Sequence, residues 1–327
     1  MMRMKLSSLG LAASLIAGAA TVAFAQGFPS RPINLIVAFP AGGSTDIGAR
    51  IVGAIAEKAF KQPVVIVNKG GAGGQIGWTE LSRAKADGYT IGYVNLPATH
   101  TVVLDPERKA IYDLDSLVPV INQVLDPGIV WVRADSPFKS FKQLLEEAKA
   151  KPGTIRAATT GILSDDHLAI LMSEEAMPGA SFRMVHLAGG AAQLKEVLAG
   201  NIDVAFDNVG SIVKQVKAGQ LRGLAVLDTQ RSKFLPDVPT SVELGFKTVI
   251  SSSTRGIAVP KGTPADVVKA LADTFKAAMA DPDHVSKLEE QGLAIKVMIG
   301  DEYTKYYRDN YALSKKYVEW AKSRPAK

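Results

Sequence analysis

Cysteine is absent from all 327 residues of the sequence, and histidine occurs only four times. Without cysteine the protein forms neither disulfides nor thiolate ligands, so its fold must be stabilised by a hydrophobic core. The four histidines are His100, His167, His186 and His284. They are too widely spaced for a metal-ligand motif, and a structural zinc site is not expected. The sequence therefore predicts neither a metal nor a cofactor.

Motifs for nucleotides and nucleic acids are missing as well. No Gly-Lys-Ser or Gly-Lys-Thr occurs, which excludes a Walker loop, and residues 71–76 approach a dinucleotide fingerprint but lack its last glycine. The formal net charge is +6, yet the basic residues are scattered and do not form a stripe with interleaved aromatics. We expect no nucleic-acid partner. No G-x-S-x-G elbow is present either, which removes one common route to covalent hydrolysis.

Long apolar runs are lacking except at the N-terminus. Arg3 and Lys5 precede an apolar stretch over residues 6–22, and Ala23-Phe24-Ala25 fits the small-x-small rule of signal peptidase. This pattern predicts a signal peptide over residues 1–25, cleaved before Gln26. No later run reaches the roughly 20 apolar residues of a spanning helix. We therefore expect a soluble, exported protein, and we expect it to be a monomer.

The stretch 39–46, Phe-Pro-Ala-Gly-Gly-Ser-Thr-Asp, lies between an apolar run at 33–38 and a helical pattern with Ile47, Ile51 and Ile55 on one face. Its glycines can adopt positive φ, and one of the three polar residues at 44–46 can cap the helix through its side chain. The free N–H groups at such a helix start favour a small anion. The alternative is a tight turn whose glycines serve geometry alone.

The same strand, polar loop and helix pattern recurs along the chain. Consecutive units of this kind indicate parallel sheets covered by helices, with ligands bound beyond the carboxyl ends of the strands. Two sheets that face each other across a cleft would bring all of these loops together. The loops are residues 39–46, 68–74, 95–99, 160–166, 186–190 and 207–211.

Residues 164–167, Ser-Asp-Asp-His, also allow an acid–base interpretation, in which an exported hydrolase or isomerase uses Ser164 and His167. Adjacent carboxylates at a helix start are, however, what the helix dipole favours. Capping or ligand contact is thus the preferred interpretation of these residues.

Several ordered stretches resemble the tripartite tricarboxylate transporter receptor family, also called the TctC or Bug family of periplasmic solute-binding proteins. They span nearly the whole mature chain. The matching stretches are residues 32–46, 68–74, 87–90, 217–219, 224–226, 231–232, 235–240, 243–245 and 259–264.

The resemblance implies an α/β fold of two Rossmann-like lobes around a cleft, of the periplasmic-binding-protein type II kind. The chain would cross between the lobes near Leu125 and Ile250. Lobe one then comprises residues 26–125 and 251–327, and lobe two comprises residues 126–250. A periplasmic receptor of this kind is expected to deliver a small organic carboxylate to a membrane permease. A sensory role, with docking on a sensor kinase, is the alternative.

The resemblance also implies which residues hold the ligand, through backbone N–H groups of lobe one and closing loops of lobe two. In lobe one these are Ala41, Gly42, Gly43, Ser44, Thr45, Asp46, Gly73, Gly74, Gln75 and Asn95. In lobe two they are Thr160, Gly161, Ser164, Asp165, His167, Ala188, Gly189, Asp207 and Asn208.

Lobe two departs from the family pattern at two places. Many members carry Pro-Tyr-Lys-Gly where this chain has the stretch 186–189, His-Leu-Ala-Gly, so the tyrosine hydroxyl and the lysine charge are missing. Asp165 and Asp166 also stand where family members often have Ser-Thr. These departures favour a monocarboxylate whose far end is neutral, amide, hydroxyl or cationic.

Overall fold

The computed structural model describes residues 27–324, and the predicted signal peptide with its cleavage site lies outside this range. Strands and helices alternate along the described chain. The strands are β1 (Ile33–Val37), β2 (Val64–Asn68), β3 (Thr90–Leu96), β4 (Leu117–Arg133), β5 (Arg156–Thr159), β6 (Arg183–His186), β7 (Val204–Asn208), β8 (Leu221–Leu227), β9 (Ser252–Pro260) and β10 (Ile295–Ile299). The helices are α1 (Ser44–Phe60), α2 (Gln75–Arg83), α3 (Ala98–Leu104), α4 (Phe141–Ala150), α5 (Asp165–Ala176), α6 (Gly190–Leu198), α7 (Val209–Lys217), α8 (Ala265–Ala280), α9 (Pro282–Glu290) and α10 (Gly300–Ser323).

Lobe one is built on a mixed sheet. Strand β1 pairs in parallel with β2 on one side and β3 on the other, with Leu35 opposite Ile66 and Ile91. Strand β9 is antiparallel to β3, and β4 is antiparallel to β9. The apolar side chains of β1 are buried under α1 and α8, with Leu35, Ile91 and Phe275 in one core cluster. This packing fixes the start of α1 at the carboxyl end of β1.

Lobe two repeats the arrangement on a smaller scale. Strand β5 lies in parallel between β6 and β7, while β4 pairs antiparallel with β7 and β8. Its core packs Phe141 of α4 against the sheet residues Val130 and Phe206. The loops that follow β5, β6 and β7 therefore lie at one end of this sheet, as predicted for parallel strands.

Strand β4 joins the two sheets because its partners change along its length. Residues 117–127 pair with β9, whereas residues 128–133 pair with β7 and β8. The chain returns to lobe one where β9 begins at Ser252. Both positions lie close to the crossings predicted near Leu125 and Ile250, while the residue bounds of the two lobes stay a prediction.

The fold differs from the sequence prediction after β3. Residues 95–99 are predicted to form a polar loop, but Asn95 and Leu96 belong to β3 and α3 starts at Ala98. The Thr99 hydroxyl accepts a hydrogen bond from the Asn95 N–H and donates one to the Asn95 carbonyl, so the strand turns directly into a helix. Within residues 27–324, no helix has both the length and the apolar character needed to cross a membrane.

Candidate functional site

A cavity of about 310 Å³ lies between the two lobes, at the carboxyl ends of their parallel strands. It is lined by many of the predicted site residues from both lobes. These are Gly43, Ser44, Thr45, Asn95, Thr160, Asp165, Ala188, Gly189, Asp207 and Asn208. The remaining predicted site residues do not line the cavity. They are Ala41, Gly42, Asp46, Gly73, Gly74, Gln75, Gly161, Ser164 and His167.

The start of α1 borders the cavity without a side-chain cap. Its N-cap residue is Gly43, with φ −82° and ψ 166°, so the predicted capping by a side chain of residues 44–46 is wrong. The first helical bond runs from the Ile47 N–H to the Gly43 carbonyl at 3.0 Å. The N–H groups of residues 44–46 precede that bond and have no acceptor within the helix. Because they carry the positive end of the helix dipole, this edge of the cavity attracts an anion.

The side chain of Asp46 holds the loop at this edge in place through hydrogen bonds. Its carboxylate accepts hydrogen bonds from Gly42 N, Arg50 Nε and Asn68 Nδ2, each at 2.9 Å. Burial alone raises the pKa of Asp46, but these bonds outweigh burial and the pKa is lowered. Asp46 therefore stays ionised and is paired with Arg50. It holds the glycine loop against β2 and leaves no free negative charge on the lobe-one side of the cavity.

Of the other lobe-one lining residues, Phe39, Pro40 and Ala98 are apolar, whereas Thr45 and Asn95 are polar and neutral. Asn95 Nδ2 donates to Thr45 Oγ1 at 2.8 Å, which orients both side chains. Asn95 Oδ1 is buried and has no hydrogen-bond partner. Ser44 Oγ lies 3.2 Å from Ser211 Oγ of lobe two, so the lobes touch at the edge of the cavity. We call residues 43–46, with their backbone N–H groups, and Asn95 the donor wall.

The lobe-two side carries carboxylates instead. Asn208 lies between two of them: its side-chain Nδ2 donates to Asp165 Oδ2 at 2.9 Å, and its backbone N–H donates to Asp207 Oδ1 at 2.7 Å. Asp207 is 3% exposed, and its second oxygen, Oδ2, has no hydrogen-bond partner in the part of the chain that the structure describes. The surface formed by Asp165, Asp207 and Asn208 is the acidic wall.

Arg255 also lines the cavity, and the sequence analysis missed it. Its guanidinium donates to Asp126 Oδ2 and to Asn208 Oδ1, both at 2.7 Å. The side chains of Arg255 and Asp126 are 3% and 0% exposed, so the pair is fully buried. A lone charged residue inside the otherwise uncharged strand β9 was the signal that could have identified it, because an unpaired charge is not buried at such a position.

The carboxyl groups around the acidic wall protonate more readily than usual. Burial raises the pKa of Asp126, Asp165 and Asp166, and repulsion by Asp165 and then by Asp207 adds to the effect of burial at Asp166. The pKa of Asp207 is raised to about 7, mainly by burial. One arginine therefore faces several carboxyl groups that have little contact with water.

The second glycine loop contacts lobe two beside the cavity. Arg108 donates to the carbonyl of Ala72 at 2.7 Å and to the carbonyl of Ile162 at 2.8 Å, which joins a lobe-one loop to a lobe-two loop. Gly73 and Gly161 approach so closely that a Cβ on Gly161 would lie 3.4 Å from the Gly73 Cα. We call this contact the Arg108 bridge. It places Gly73, and with it the neighbouring Gly74 and Gln75, at the contact between the two lobes.

Ser164 and His167 have structural roles at the start of α5. Ser164 Oγ accepts a hydrogen bond from the His167 N–H at 3.2 Å and thereby caps the helix. His167 Nδ1 accepts from the Leu163 N–H at 2.8 Å. Burial, with a further contribution from the charge of His186, lowers the pKa of His167 to about 4. The ring is thus neutral at ordinary pH and is engaged by the loop before α5.

The loop 186–189 brings backbone rather than charge to the cavity. Ala188 and Gly189 line it, and α6 starts at Gly190. A Cβ on Gly190 would lie 2.6 Å from Asp207 Oδ2, so the carboxyl group packs directly against the helix start. Within residues 27–324, no three His, Asp or Glu side chains are arranged to hold a metal ion.

Comparison with known proteins identifies this arrangement. Residues 48–322 match the family model described as tripartite tricarboxylate transporter family receptor. Protein BugT of Bordetella pertussis (strain Tohama I) is 30% identical over 294 residues, which cover 90% of this chain and 90% of that protein.

Two solved structures have the same fold. The periplasmic binding protein BugD has a TM-score of 0.83 and 29% identity, with 90% of this chain and 98% of that chain covered. The structure of R. palustris Rpa4515 with adipate has a TM-score of 0.83 and 26% identity, with 89% and 97% covered. The predicted fold class, two Rossmann-like lobes of the periplasmic-binding-protein kind, is confirmed by these similarities.

Proposed function

Because this chain belongs to the tripartite tricarboxylate transporter receptor family, we propose that it is a periplasmic solute-binding receptor for a small organic carboxylate. The receptor delivers its ligand to the membrane permease of such a transporter. It binds and releases its ligand without chemical conversion. The observation that carries this proposal is the uncapped start of α1 at the edge of an interlobe cavity.

The donor wall supplies what a carboxylate needs. The N–H groups of Ser44, Thr45 and Asp46 have no acceptor within α1, and hydrogen bonds to a charged acceptor contribute about 1.5 to 3 kcal/mol each. The cavity of about 310 Å³ is at the small end of ligand pockets. Its size therefore fits a compact organic acid better than a nucleotide or a peptide.

Binding also closes the protein, because the ligand lies between walls from both lobes. A ligand shifts an open–closed equilibrium only by its extra affinity for the closed form. A change from mostly open to mostly closed requires about 5 kcal/mol of such extra affinity. Two or three charge-assisted hydrogen bonds that form only when the lobe-two wall meets the ligand are sufficient, at about 1.5 to 3 kcal/mol each. The closed form is then the one that the permease recognises.

Thermal unfolding with a panel of small carboxylates tests the proposal. Each acid of two to eight carbons is paired with its uncharged primary amide. A ligand at a hundredfold excess over its Kd adds about 2.7 kcal/mol to the free energy of unfolding, so the melting temperature should rise by several degrees. Stabilisation by at least one acid and not by its amide is expected. The proposal is contradicted when no acid stabilises the protein or when the amides stabilise it equally.

A further inference from the structure

Both donors and acceptors around the cavity lack partners among the described residues. On the donor wall the N–H groups of residues 44–46 lack an acceptor within the helix. Two side-chain acceptors of lining residues are buried without a donor, Asp207 Oδ2 on the acidic wall and Asn95 Oδ1 on the donor wall, and one side-chain donor, Arg255 Nε, is buried without an acceptor. Buried polar atoms are nearly always hydrogen-bonded in folded proteins. A ligand that satisfies this cavity must therefore offer both an anionic end and an N–H or O–H donor.

Within residues 27–324, the only arginine that lines the cavity uses both terminal nitrogens in contacts with the protein, while its buried Nε has no partner. Arg255 pairs with Asp126 and donates its remaining terminal nitrogen to Asn208. Asp165 and Asp207 therefore face the cavity with no cation dedicated to them. A second carboxylate placed there would meet like charge in a poorly hydrated space, which is strongly unfavourable. An ammonium group would instead neutralise the wall and bring three donors.

We propose that the ligand is an aminocarboxylate whose carboxylate rests on the start of α1 and whose ammonium group donates to Asp207, with Asp165 contributing its charge. This inference rests on the proposed function and narrows its ligand class. Asp207 is then the residue that sets specificity. The receptor selects a cationic far end over a neutral one, and a neutral one over a second carboxylate.

The position of Asp207 supports the assignment. Asn208 and Ser211 both contact its Oδ1, the first through its backbone N–H at 2.7 Å and the second through its hydroxyl at 2.9 Å. These contacts fix the carboxyl group and leave Oδ2 as the free acceptor. The positive charge of a neighbouring ammonium ion lowers the pKa of Asp207 from about 7 and so favours the ionised carboxylate that pairs with it.

Calorimetry with a matched series of probes tests the inference. Each probe has a chain of five non-hydrogen atoms that begins at a carboxylate carbon. The far end is an amine in 4-aminobutanoate, an amide in succinamate, a methyl group in pentanoate and a second carboxylate in glutarate. A second series is one atom shorter, with 3-aminopropanoate, malonamate, butanoate and succinate. In at least one series we expect the amine to bind at least tenfold more tightly than the methyl-ended acid, and the dicarboxylate to bind most weakly.

The variant Asp207→Asn should reduce the preference for amine over methyl at least tenfold while changing the affinity for the methyl-ended acid less than threefold. Asp165→Asn, which should weaken the preference less, serves when Asp207→Asn does not fold. Asp237→Asn is the matched control, because Asp237 is an exposed aspartate of the same lobe. It should leave all affinities unchanged.

A pH series separates the two protonation states of Asp207. The charged groups around it are Asp165 and Asp166 at the start of α5, Asp126 on β4 and Arg255 on β9. An ammonium ligand favours the ionised form, so affinity for the amine should rise from pH 5 to pH 7 and then level off. Affinity for the methyl-ended acid should show no such rise.

The outcomes that contradict the inference are distinct from those that contradict the receptor function. Tightest binding of a dicarboxylate, with affinity that falls as the pH rises, would show that a protonated Asp207 donates to a second carboxylate. That result, or an unchanged amine preference in Asp207→Asn, overturns the inference and leaves a carboxylate receptor. Absence of binding by every acid in both series contradicts the receptor proposal and the inference together.

Discussion

The two sides of the cavity present different kinds of polar groups to a ligand. The donor wall is a helix start with free N–H groups, and its nearby carboxylate, Asp46, is paired with Arg50 behind the surface. The acidic wall has buried carboxyl groups, and the arginine beside them is committed to Asp126. One wall thus presents positive partial charge from the backbone, and the other presents side-chain acceptors. A ligand that bridges them must be charged differently at its two ends.

The two walls also differ in how closely their sequences follow the family pattern. The stretches at 39–46 and 68–74 follow the family pattern and supply backbone groups. The departures from the pattern, at residues 165–166 and 186–189, lie in lobe two and change side-chain chemistry. We infer that the donor wall fixes the ligand class as carboxylate and that the acidic wall selects among carboxylates.

Filling the donor wall should have the largest effect on binding. Gly43 has a backbone conformation open to any residue, and a Cβ added to it would meet no atom within 4 Å. Gly43→Val should therefore fold normally while its side chain covers the N–H groups at the start of α1. We expect an affinity loss of at least a hundredfold for every carboxylate, measured by calorimetry.

Gly27→Val is the control for this substitution, since Gly27 is exposed and has equal space around it. Gly27→Val should melt within about 2 °C of the parent protein, because surface changes alter stability by about 0.5 kcal/mol or less. Gly43→Val should remain folded but melt a few degrees lower, because valine is a poorer N-cap residue than glycine and a lost cap costs about 1 kcal/mol. Retention of carboxylate binding in Gly43→Val would show that the donor wall is not part of the binding site.

We expect the acidic wall to make the free energy of unfolding depend on pH. The pKa of Asp207 rises from its ordinary 3.8 to about 7 on folding, so the folded protein binds this proton more tightly than the unfolded chain. Its contribution to the free energy of unfolding is therefore greatest below about pH 4 and is lost as the pH rises toward 7. Because asparagine does not ionise, Asp207→Asn should not show that fall in the free energy of unfolding as the pH rises.

Urea unfolding of the ligand-free parent and variant between pH 4.5 and 8 measures this difference. The variant should gain stability relative to the parent as the pH rises, by on the order of 1.4 kcal/mol per pH unit up to about pH 7. Buried histidines such as His100, whose pKa is lowered to about 3 by burial, give the opposite trend. They are present in both proteins and cancel in the comparison. A pH-independent difference would mean that Asp207 ionises normally.

Breaking the Arg108 bridge should have the smallest effect. Of its two hydrogen bonds, the one to the Ile162 carbonyl crosses between the lobes, whereas Ala72 belongs to lobe one like Arg108 itself. One such bond contributes about 0.5 to 1.5 kcal/mol net, so Arg108→Ala should weaken all carboxylates by a similar factor of about two to thirteen, with the amine preference unchanged. Arg83→Ala, at an exposed position of lobe one, is the control. A change of ligand preference in Arg108→Ala would show that the bridge contributes to specificity.

The sequence predicted the parts of this site that depend on local backbone structure. A glycine turn between an apolar strand and a helical pattern is sufficient to place free N–H groups at 44–46. Asp165 and Asp207 were also among the predicted site residues, because each follows a strand within a polar loop. Their chemical consequence was not predictable, since it depends on burial and on their approach to each other through Asn208.

Contacts between distant segments were beyond the sequence analysis. Arg255 and Asp126 are 129 positions apart, and they meet because β4 and β9 pair at the junction of the lobes. Arg108 belongs to a charged stretch with no periodic pattern, and its role depends on where lobe two places the Ile162 carbonyl. The side-chain cap predicted for α1 was wrong for a related reason: Asp46 is held by Arg50 and Asn68 instead.

A crystal structure of the protein with the tightest-binding carboxylate of the panel tests the central claim most directly. The account predicts carboxylate oxygens about 2.7 to 3.2 Å from the backbone nitrogens of Ser44, Thr45 or Asp46, with the far end of the ligand against Asp207. A carboxylate bound to Arg255, or bound outside the interlobe cavity while those nitrogens contact only water, would contradict it.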